Sequence, residues 1–239
     1  MNIGSLNTPF IYRGEELIYP NPVKDGLVLW YDFSGRTNTD GQRNIAEDLS
    51  GNGNHGTLQN FNYSAESGYD KNKLLFDGVD DYVSAKNPLA HQMPENQSWS
   101  VEFVVKKKRD VSADLSLLGG INYGLRYNWS DGWKAFRMLN YTNLSANIYH
   151  YSPYHVTDNS THHIVFSYSS DEQEASIIID KRKSSTLHSD DEVPTGMQSN
   201  IAVNLKGGEI YSTKIYNRPL TSEEIAHNYA IENERFGIE

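Results

Sequence analysis

Short segments in which apolar and polar residues alternate recur along almost the whole chain, and they constrain the fold more than any other feature. In SWSVEFVVKKK (98–108), Trp99, Val101 and Phe103 fall on one side and polar residues lie between them. A period of two residues is the geometry of a β-strand, whose successive side chains point to opposite faces. The pattern therefore predicts strands for most of the sequence.

The same alternation marks further strand candidates, which are separated by polar loops rich in Gly, Asn, Asp and Ser. They are GLVLWYDF (26–33), KLLFDG and DYVSA (within 73–85), HHIVFSYS (162–169), ASIIID (175–180) and GEIYSTKIYN (208–217). About ten or more short strands with a single helix are typical of two packed antiparallel sheets. We therefore expect an all-β chain that folds as an antiparallel two-sheet jelly-roll sandwich.

One short helix is predicted near the C-terminus, over PLTSEEIAHNYAIENE (219–234). Thr221 is the expected N-cap, and Glu224 three residues later completes a capping box. Ile225 and Tyr229 form a narrow apolar stripe at a spacing of four residues. We expect this helix to pack on the edge of the sandwich.

The first 24 residues differ from the rest of the chain. They contain three prolines, and their apolar residues do not alternate cleanly. We interpret residues 1–24 as an extended arm that either covers the sandwich or docks on a partner. Residues 25–239 are the sandwich domain, since all-β sandwiches of this size commonly form one domain.

Charge and composition exclude several classes of partner and location. The formal net charge is −10, which argues against nucleic acid and anionic membranes, because phosphate binding needs a positive field. No apolar run approaches the ~18 residues of a membrane span, and no secretory signal precedes the first strand. With no cysteine, disulfides and thiolate metal sites are excluded. We expect a protein that is made in the cytoplasm and does not insert into membranes.

The stretch GNGNHG (51–56) has the G-x-G-x-x-G spacing of dinucleotide-binding loops. That fingerprint requires a strand before it and a helix after it, and the sequence that follows is not helical. Glycine and asparagine tolerate the positive φ angles of tight turns. The stretch is therefore predicted to be a curled turn.

The same turn carries oxygen ligands of the kind that calcium takes. Asp48 supplies a carboxylate, and Asn52 and Asn54 supply amide oxygens. One loop supplies too few ligands, so a partner is expected from Asp77, Asp80 or Asp81 of the FDGVDDYV segment, and Asp80 is the candidate we select. Calcium is therefore the predicted cofactor. The alternative, in which these residues only form Asx turns, stays open at this stage.

Segment 121–155 contains nine aromatic residues. Strand alternation buries about half of such residues, and an exposed remainder would mark an interaction site. Aromatic faces can stack on sugar rings while polar side chains bind hydroxyl groups. The candidate ligand-binding residues are Tyr127, Trp129, Asp131, Trp133 and Tyr151. The alternative is that these aromatic residues are only core residues and cross-strand pairs.

Catalytic residues are not predicted. A retaining glycoside hydrolase needs two carboxyls about 5–5.5 Å apart, whereas strand 98–108 offers only Glu102, which lysines follow. His162 and His163 are adjacent, so on a strand they point to opposite faces. We therefore expect no enzyme activity.

Taken together, the strand and turn motifs resemble the laminin-G-like branch of the concanavalin A-like lectin/glucanase superfamily. The matching stretches are GLVLWYDF (26–33), DLSGNGNHGTL (48–58), LLFDGVDDYVSA (74–85), SWSVEFVVK (98–106), HHIVFSYS (162–169), ASIIIDKR (175–182) and IYSTKIYNRPLTSEEIAHNY (210–229). The resemblance implies a two-sheet jelly roll that the last strand and the short helix close. It also implies calcium at a sheet edge, which members often carry. Two departures are Thr161, where Trp is frequent, and Lys181, where Gly is frequent.

These features favour a non-catalytic binding or structural module. We expect an exterior virion protein, in the capsid or the tail of a bacteriophage, which contacts host-surface glycans or neighbouring subunits. The arm would bind other virion proteins, and assembly of the chain as a homo-oligomer stays open. The alternative is a free-standing carbohydrate-binding, lectin-like protein, and a glycoside hydrolase is the least favoured.

Overall fold

The structure is a computed structural model that describes most of the chain. The described residues are 11–13, 16–89, 98–107, 115–118, 123–128, 135–140, 148–151, 159–172, 174–188, 200–205 and 207–238. Their strands are β1 (Ile11–Arg13), β2 (Glu16–Tyr19), β3 (Leu27–Asp32), β4 (Ile45–Ala46), β5 (Gly56–Gln59), β6 (Gly68–Asp70), β7 (Lys73–Phe76), β8 (Tyr82–Lys86), β9 (Trp99–Lys107), β10 (Leu115–Leu118), β11 (Tyr123–Asn128), β12 (Ala135–Asn140), β13 (Ile148–Tyr151), β14 (Thr161–Ser169), β15 (Glu174–Ile179), β16 (Arg182–His188), β17 (Asn200–Val203) and β18 (Gly208–Tyr216). One helix follows, α1 (Ser222–Phe236).

Two antiparallel sheets form the sandwich. The larger has eight strands in the order β16-β15-β14-β9-β18-β7-β6, and β3 also pairs with β18. The opposing sheet has four strands in the order β17-β8-β5-β4. Strands β10 to β13 form another four-stranded antiparallel sheet, and β1 pairs with β2. The predicted all-β, antiparallel, two-sheet fold with one short C-terminal helix is confirmed.

The main core lies between the two sandwich sheets. On β9, the predicted apolar face of Trp99, Val101 and Phe103 is at most 1% exposed and belongs to this core. Leu58 on β5 and Val83 on β8 come from the opposing sheet. Alternation along the strands thus positions the interior as the sequence predicted.

The outer face of the central strands of the eight-stranded sheet is also buried, because α1 covers it. Trp30, Val165, Tyr216 and Ile225 are among the residues of a second apolar cluster. The helix therefore packs over the central strands, whereas the sequence predicted a position at the sandwich edge. The reason is that buried polar residues of α1, including Asn228, widen the contacting side beyond its apolar stripe.

The predicted caps of the helix are present. The Thr221 hydroxyl accepts a hydrogen bond from the Glu224 backbone N–H at 3.2 Å, and a Glu224 carboxylate oxygen accepts one from the Thr221 N–H at 2.9 Å. At the other end, Gly237 has a φ of 64° and its N–H donates to Asn233 O. Within the described residues, no helix has both the length and the apolar character needed to cross a membrane.

The described part of the N-terminal segment lies against the sandwich. The Val23 N–H donates to Asn228 Oδ1 at 2.9 Å, and His227 Nε2 lies 3.0 Å from Asn21 O. The Val23 side chain also packs against the second apolar cluster. Residues 21–23 therefore contact α1, and the division into an arm of residues 1–24 and a sandwich of residues 25–239 stays a prediction.

Candidate functional site

Asp48 organises the turn that precedes β5. Its Oδ1 accepts hydrogen bonds from the Trp30 N–H at 2.9 Å and the Ser50 N–H at 3.0 Å. Its Oδ2 accepts from the Ser50 hydroxyl at 2.9 Å and the Asn54 N–H at 2.8 Å. Since four protein donors satisfy this buried carboxylate, its negative charge is balanced by local dipoles.

The two asparagines of the turn fasten it to β3. Asn52 Nδ2 donates to Leu27 O at 3.1 Å, and Asn54 Nδ2 donates to Val28 O at 2.8 Å. The Tyr31 hydroxyl donates to Asn54 O at 2.7 Å, and burial raises the pKa of that hydroxyl. The predicted curled turn is therefore present, and its amide groups bind backbone carbonyls.

Asp80 lies away from this turn. Asn60, which directly follows β5, donates from its side chain to Asp80 O at 3.0 Å, whereas Asp48 and Asn54 precede β5. The four predicted calcium ligands are thus divided between the two ends of one strand. Together they do not fit a single calcium ion, and calcium binding by this chain stays a prediction.

The structure instead places Asp80 beside two other carboxylates, Asp77 and Asp81, with one ligand oxygen from each within 4.8 Å of the others. Asp81 accepts hydrogen bonds from the Asp77 N–H at 2.9 Å and the Ser67 hydroxyl at 3.1 Å. Burial raises the pKa of the Asp81 carboxyl. These contacts hold the turn between β7 and β8 in place.

The predicted ligand-binding aromatics fall partly outside the described residues. Trp129, Asp131 and Trp133 lie there. Tyr127 lies on β11 opposite Phe136, and Tyr151 lies on β13 opposite Ala135. Strands β11 and β13 flank β12 in one sheet, so the backbone of these two tyrosines belongs to the same antiparallel ladder.

A buried ionic cluster lies between α1 and the eight-stranded sheet. Glu102 Oε1 accepts a hydrogen bond from Lys214 Nζ at 2.6 Å, and Oε2 accepts one from Asn228 Nδ2 at 2.7 Å. Lys214 also binds Glu232 of α1. All four residues are at most 1% exposed. The acidic residue of β9 is therefore closed off from solvent.

The cluster favours the charged forms of Glu102 and Lys214. Burial alone would raise the pKa of Glu102, but Lys214 and His163 outweigh it and hold that pKa below its usual value. Burial would likewise lower the pKa of Lys214, yet Glu102 and Glu232 raise it. Each carboxylate is therefore committed to an ammonium partner.

Sequence reasoning missed this cluster, although part of its signal was present. Asn228 and Glu232 follow Ile225 by three and seven residues, so they share the face that the apolar stripe marks. Nothing in the local sequence pairs Lys214 with Glu102, because strand alternation does not tell which outer face a helix will cover.

The ionic contacts continue from α1 to the end of β3. Arg235 Nη1 lies 2.6 Å from Asp32 Oδ2, and Nη2 donates to Ser34 Oγ at 3.3 Å.

Asp32 and Ser34 form part of the wall of a cavity of about 280 Å³. Its lining residues are Asp32, Phe33, Ser34, Gly35, Arg36, Ile45, Ala46, Glu47, Leu49 and Tyr69. The helix therefore fixes one wall of a concave site between β3 and β4.

The two adjacent histidines have separate surroundings, as the strand geometry predicted. His162 Nδ1 lies 2.7 Å from Asp180 Oδ2, while His163 packs edge-on against the Tyr229 ring. Asp180 and Lys181 form the two-residue turn between β15 and β16, with φ angles of 49° and 67°. Lys181 adopts the left-handed region that glycine favours, and its Nζ lies 4.3 Å from the centre of the Tyr229 ring.

The sequence matches a family model described as the concanavalin A-like lectin/glucanases superfamily (Laminin_G_3) over residues 77–226. A search of curated proteins gives no match. Among solved structures, Trypanosoma rangeli sialidase in complex with sialic acid aligns with a TM-score of 0.58 and 16% identity over 87% of this chain. The alignment covers 33% of the sialidase chain.

Two toxin domains align over a similar share of this chain. The binding domain of botulinum neurotoxin DC in complex with rat synaptotagmin II gives a TM-score of 0.61 and 13% identity, covering 90% of this chain and 53% of that one. The receptor-binding domain of botulinum neurotoxin mosaic serotype C/D gives a TM-score of 0.64 and 12% identity. That alignment covers 89% of this chain and 52% of the toxin chain. The chain thus spans from one third to about half of these structures. At such identities the likeness shows the fold, and the family match establishes that the chain belongs to the concanavalin A-like lectin/glucanase superfamily.

Proposed function

We propose that this chain is a non-catalytic carbohydrate-binding module. The superfamily's description names both lectins and glucanases, so the question that bears on catalysis is whether Glu102, the acidic residue of β9, is accessible to a substrate. The observation that carries the proposal is the burial of Glu102 beneath α1, where Lys214 and Asn228 occupy both of its oxygens. A carboxyl in that position cannot approach a glycosidic bond.

Retaining hydrolysis also sets two geometric requirements. The acid and the nucleophile must lie about 5–5.5 Å apart and must both face the substrate. Glu232 is the other carboxylate of the cluster, and it is as deeply buried as Glu102. Both bind Lys214, so neither is available as a general acid or a nucleophile.

The related structures support a role in binding. One was solved with sialic acid and another with rat synaptotagmin II, so this fold occurs in a protein that holds a sugar and in one that holds a protein. Carbohydrate is the ligand class that the superfamily's description favours. The predicted contact residues remain Tyr127, Trp129, Asp131, Trp133 and Tyr151.

A glycan array with the full chain tests the proposal. We expect binding to a subset of glycans, reduced at least about tenfold by Trp129→Ala or Trp133→Ala, since stacked aromatic rings dominate such contacts. Val79→Ala is the matched control, because Val79 is an exposed apolar residue of a different turn. An array without signal for the wild-type chain would refute carbohydrate binding.

We also propose that the module works on the exterior of a virion, with residues 1–24 contacting neighbouring virion proteins. The support is the organisation of the sequence, in which a proline-containing segment precedes an acidic sandwich. Residues 20–24 lie against α1, so the informative truncation removes residues 1–19. We expect the truncated chain to fold but to be absent from purified particles. Its incorporation at the wild-type level would overturn the anchoring role and favour a free-standing lectin.

Calcium binding has its own test. If calcium stabilises the chain, the melting temperature in EDTA is lower than in excess calcium, and Asp80→Asn reduces that difference. Equal melting temperatures under both conditions would contradict the calcium prediction.

A further inference from the structure

We infer that the cavity between β3 and β4 is a subsite for a single neutral pyranose ring, with Arg36 and Glu47 binding adjacent hydroxyl groups. This inference rests on the proposed function for the chemical class of its ligand. Among the residues that the structure describes, those that line the cavity all lie between 32 and 69, so the argument for it does not use the aromatic segment 121–155.

The floor of the cavity is apolar and rigid. Phe33, Ala46 and Tyr69 are at most 6% exposed, and all three belong to the main core. Leu49 and Ile45 contribute further apolar surface. Because the first three side chains are almost wholly buried, the half-buried Leu49 and Ile45 provide most of the apolar surface that the C–H face of a sugar ring would contact.

Arg36 is held in place at the rim. Its Nη2 donates to Gln42 O at 2.7 Å, and its Nε lies 3.4 Å from Asp40 Oδ2. The guanidinium carbon lies 5.7 Å from the centre of the Tyr69 ring. These contacts fix the guanidinium plane, so the remaining donors have a defined direction before any ligand arrives.

Glu47 stands beside the Nη1 edge of this guanidinium. The distance from Arg36 Nη1 to Glu47 Oε2 is 3.8 Å, which is longer than a hydrogen bond. The Glu47 side chain is 61% exposed. A donor and an acceptor thus stand next to each other at the cavity mouth, and one sugar hydroxyl can accept from Arg36 while it or its neighbour donates to Glu47.

Size and charge define the ligand further. The volume of about 280 Å³ lies just below the ~300–1,000 Å³ that small-molecule sites occupy, which suits one sugar ring and not an oligosaccharide. Asp40 and Glu47 place two carboxylates around the guanidinium of Arg36. A ligand that carries a carboxylate is repelled there, so the ring is neutral.

Saturation-transfer NMR with the full chain tests the inference. The probes are methyl α-D-glucopyranoside, methyl α-D-mannopyranoside, methyl β-D-galactopyranoside and N-acetylneuraminic acid. We expect at least one neutral glycoside to bind with a Kd on the order of 1 mM, and the acidic sugar to give no transfer. Glu47→Ala weakens the neutral ligand about tenfold or more, since a hydrogen bond to a charged group is lost.

A charge-matched control accompanies the Glu47→Ala variant. Glu47 is exposed and its contact with Arg36 is long, so its replacement leaves the fold intact. Glu172→Ala, in the turn between β14 and β15, removes the same charge at a distant exposed position and leaves binding unchanged. Equal binding by wild type and Glu47→Ala, or no transfer from any neutral glycoside, would overturn the subsite.

The outcome is also distinguishable from that of the proposed function. A positive glycan array refutes only the subsite if no neutral glycoside gives saturation transfer, or if Glu47→Ala does not weaken that transfer, and the carbohydrate-binding module then stands. An array without signal, together with no saturation transfer, refutes both.

Discussion

At the scale of single residues, the deciding feature is a pair of carboxylates around one buried lysine. Burying an ion is costly unless its partner is close and its remaining hydrogen bonds are made. Glu102 meets both conditions through Lys214 and Asn228. The sequence placed Glu102 on the outer face of a strand, but its burial depends on a helix more than a hundred residues away.

Removing the lysine should therefore destabilise the fold strongly. Lys214→Met removes the ammonium that joins Glu102 and Glu232, so we expect the free energy of unfolding to fall by about 3–5 kcal/mol. Urea denaturation measures it. Lys86→Met is the control, since Lys86 is exposed on β8. A loss for Lys214→Met no larger than that of the control would contradict the buried cluster.

The same cluster predicts a dependence on pH. Burial opposes the charged form of Glu102, but Lys214 and His163 outweigh it, so the pKa is lowered in the folded state. The contribution of the ionised Glu102 carboxylate to the free energy of unfolding is therefore complete above the ordinary glutamate pKa of about 4.5. It declines as the pH falls below that value, by about 1.4 kcal/mol per pH unit. Glu102→Gln should show a flatter decline between about pH 5 and 3. Parallel curves for the two proteins would contradict the lowered pKa.

At the scale of elements, local signals predicted the helix and the curled turn well. The capping box of Thr221 and Glu224 is present, and the glycine-rich turn at 51–56 makes the positive φ angles that its composition favours. The position of α1 over the central strands was not predictable from its stripe of Ile225 and Tyr229. Nothing in the local sequence pairs Asn228 and Glu232 of the helix with Glu102 and Lys214 of the sheet.

The cap gives a quantitative prediction for this element. Thr221→Ala removes the hydroxyl that accepts the Glu224 N–H, so we expect a loss of about 1 kcal/mol in the free energy of unfolding. Ser222→Ala, one residue further and likewise exposed, is the matched control and should change stability by much less. Equal losses in the two variants would show that the cap does not contribute.

At the scale of the whole molecule, alternation alone was sufficient to predict two antiparallel sheets around one core. It could not show that a helix and residues 20–24 close the outer face of the larger sheet, since those contacts join the two ends of the chain. The candidate sugar subsite was missed for a similar reason. Arg36, Glu47 and Tyr69 come from three separate loops and strands, and no motif links them.

The closure by both ends of the chain predicts a difference between two truncations. Removing residues 1–19 keeps the Val23 N–H on Asn228 Oδ1, whereas removing residues 1–24 leaves that buried oxygen without its donor. We expect the longer truncation to be less stable than the shorter by about 1–3 kcal/mol. Thermal denaturation of both chains measures the difference, and equal melting temperatures would contradict the docking of residues 20–24.

Binding and turnover can be measured together in one sample, which separates a lectin-like module from a hydrolase. The full chain is titrated by calorimetry with the strongest ligand from the glycan array, and the recovered glycan is then analysed by mass spectrometry. A non-catalytic carbohydrate-binding module predicts saturable heat and an unchanged glycan mass. Cleaved glycan, or no heat with any glycan of the array, would contradict it.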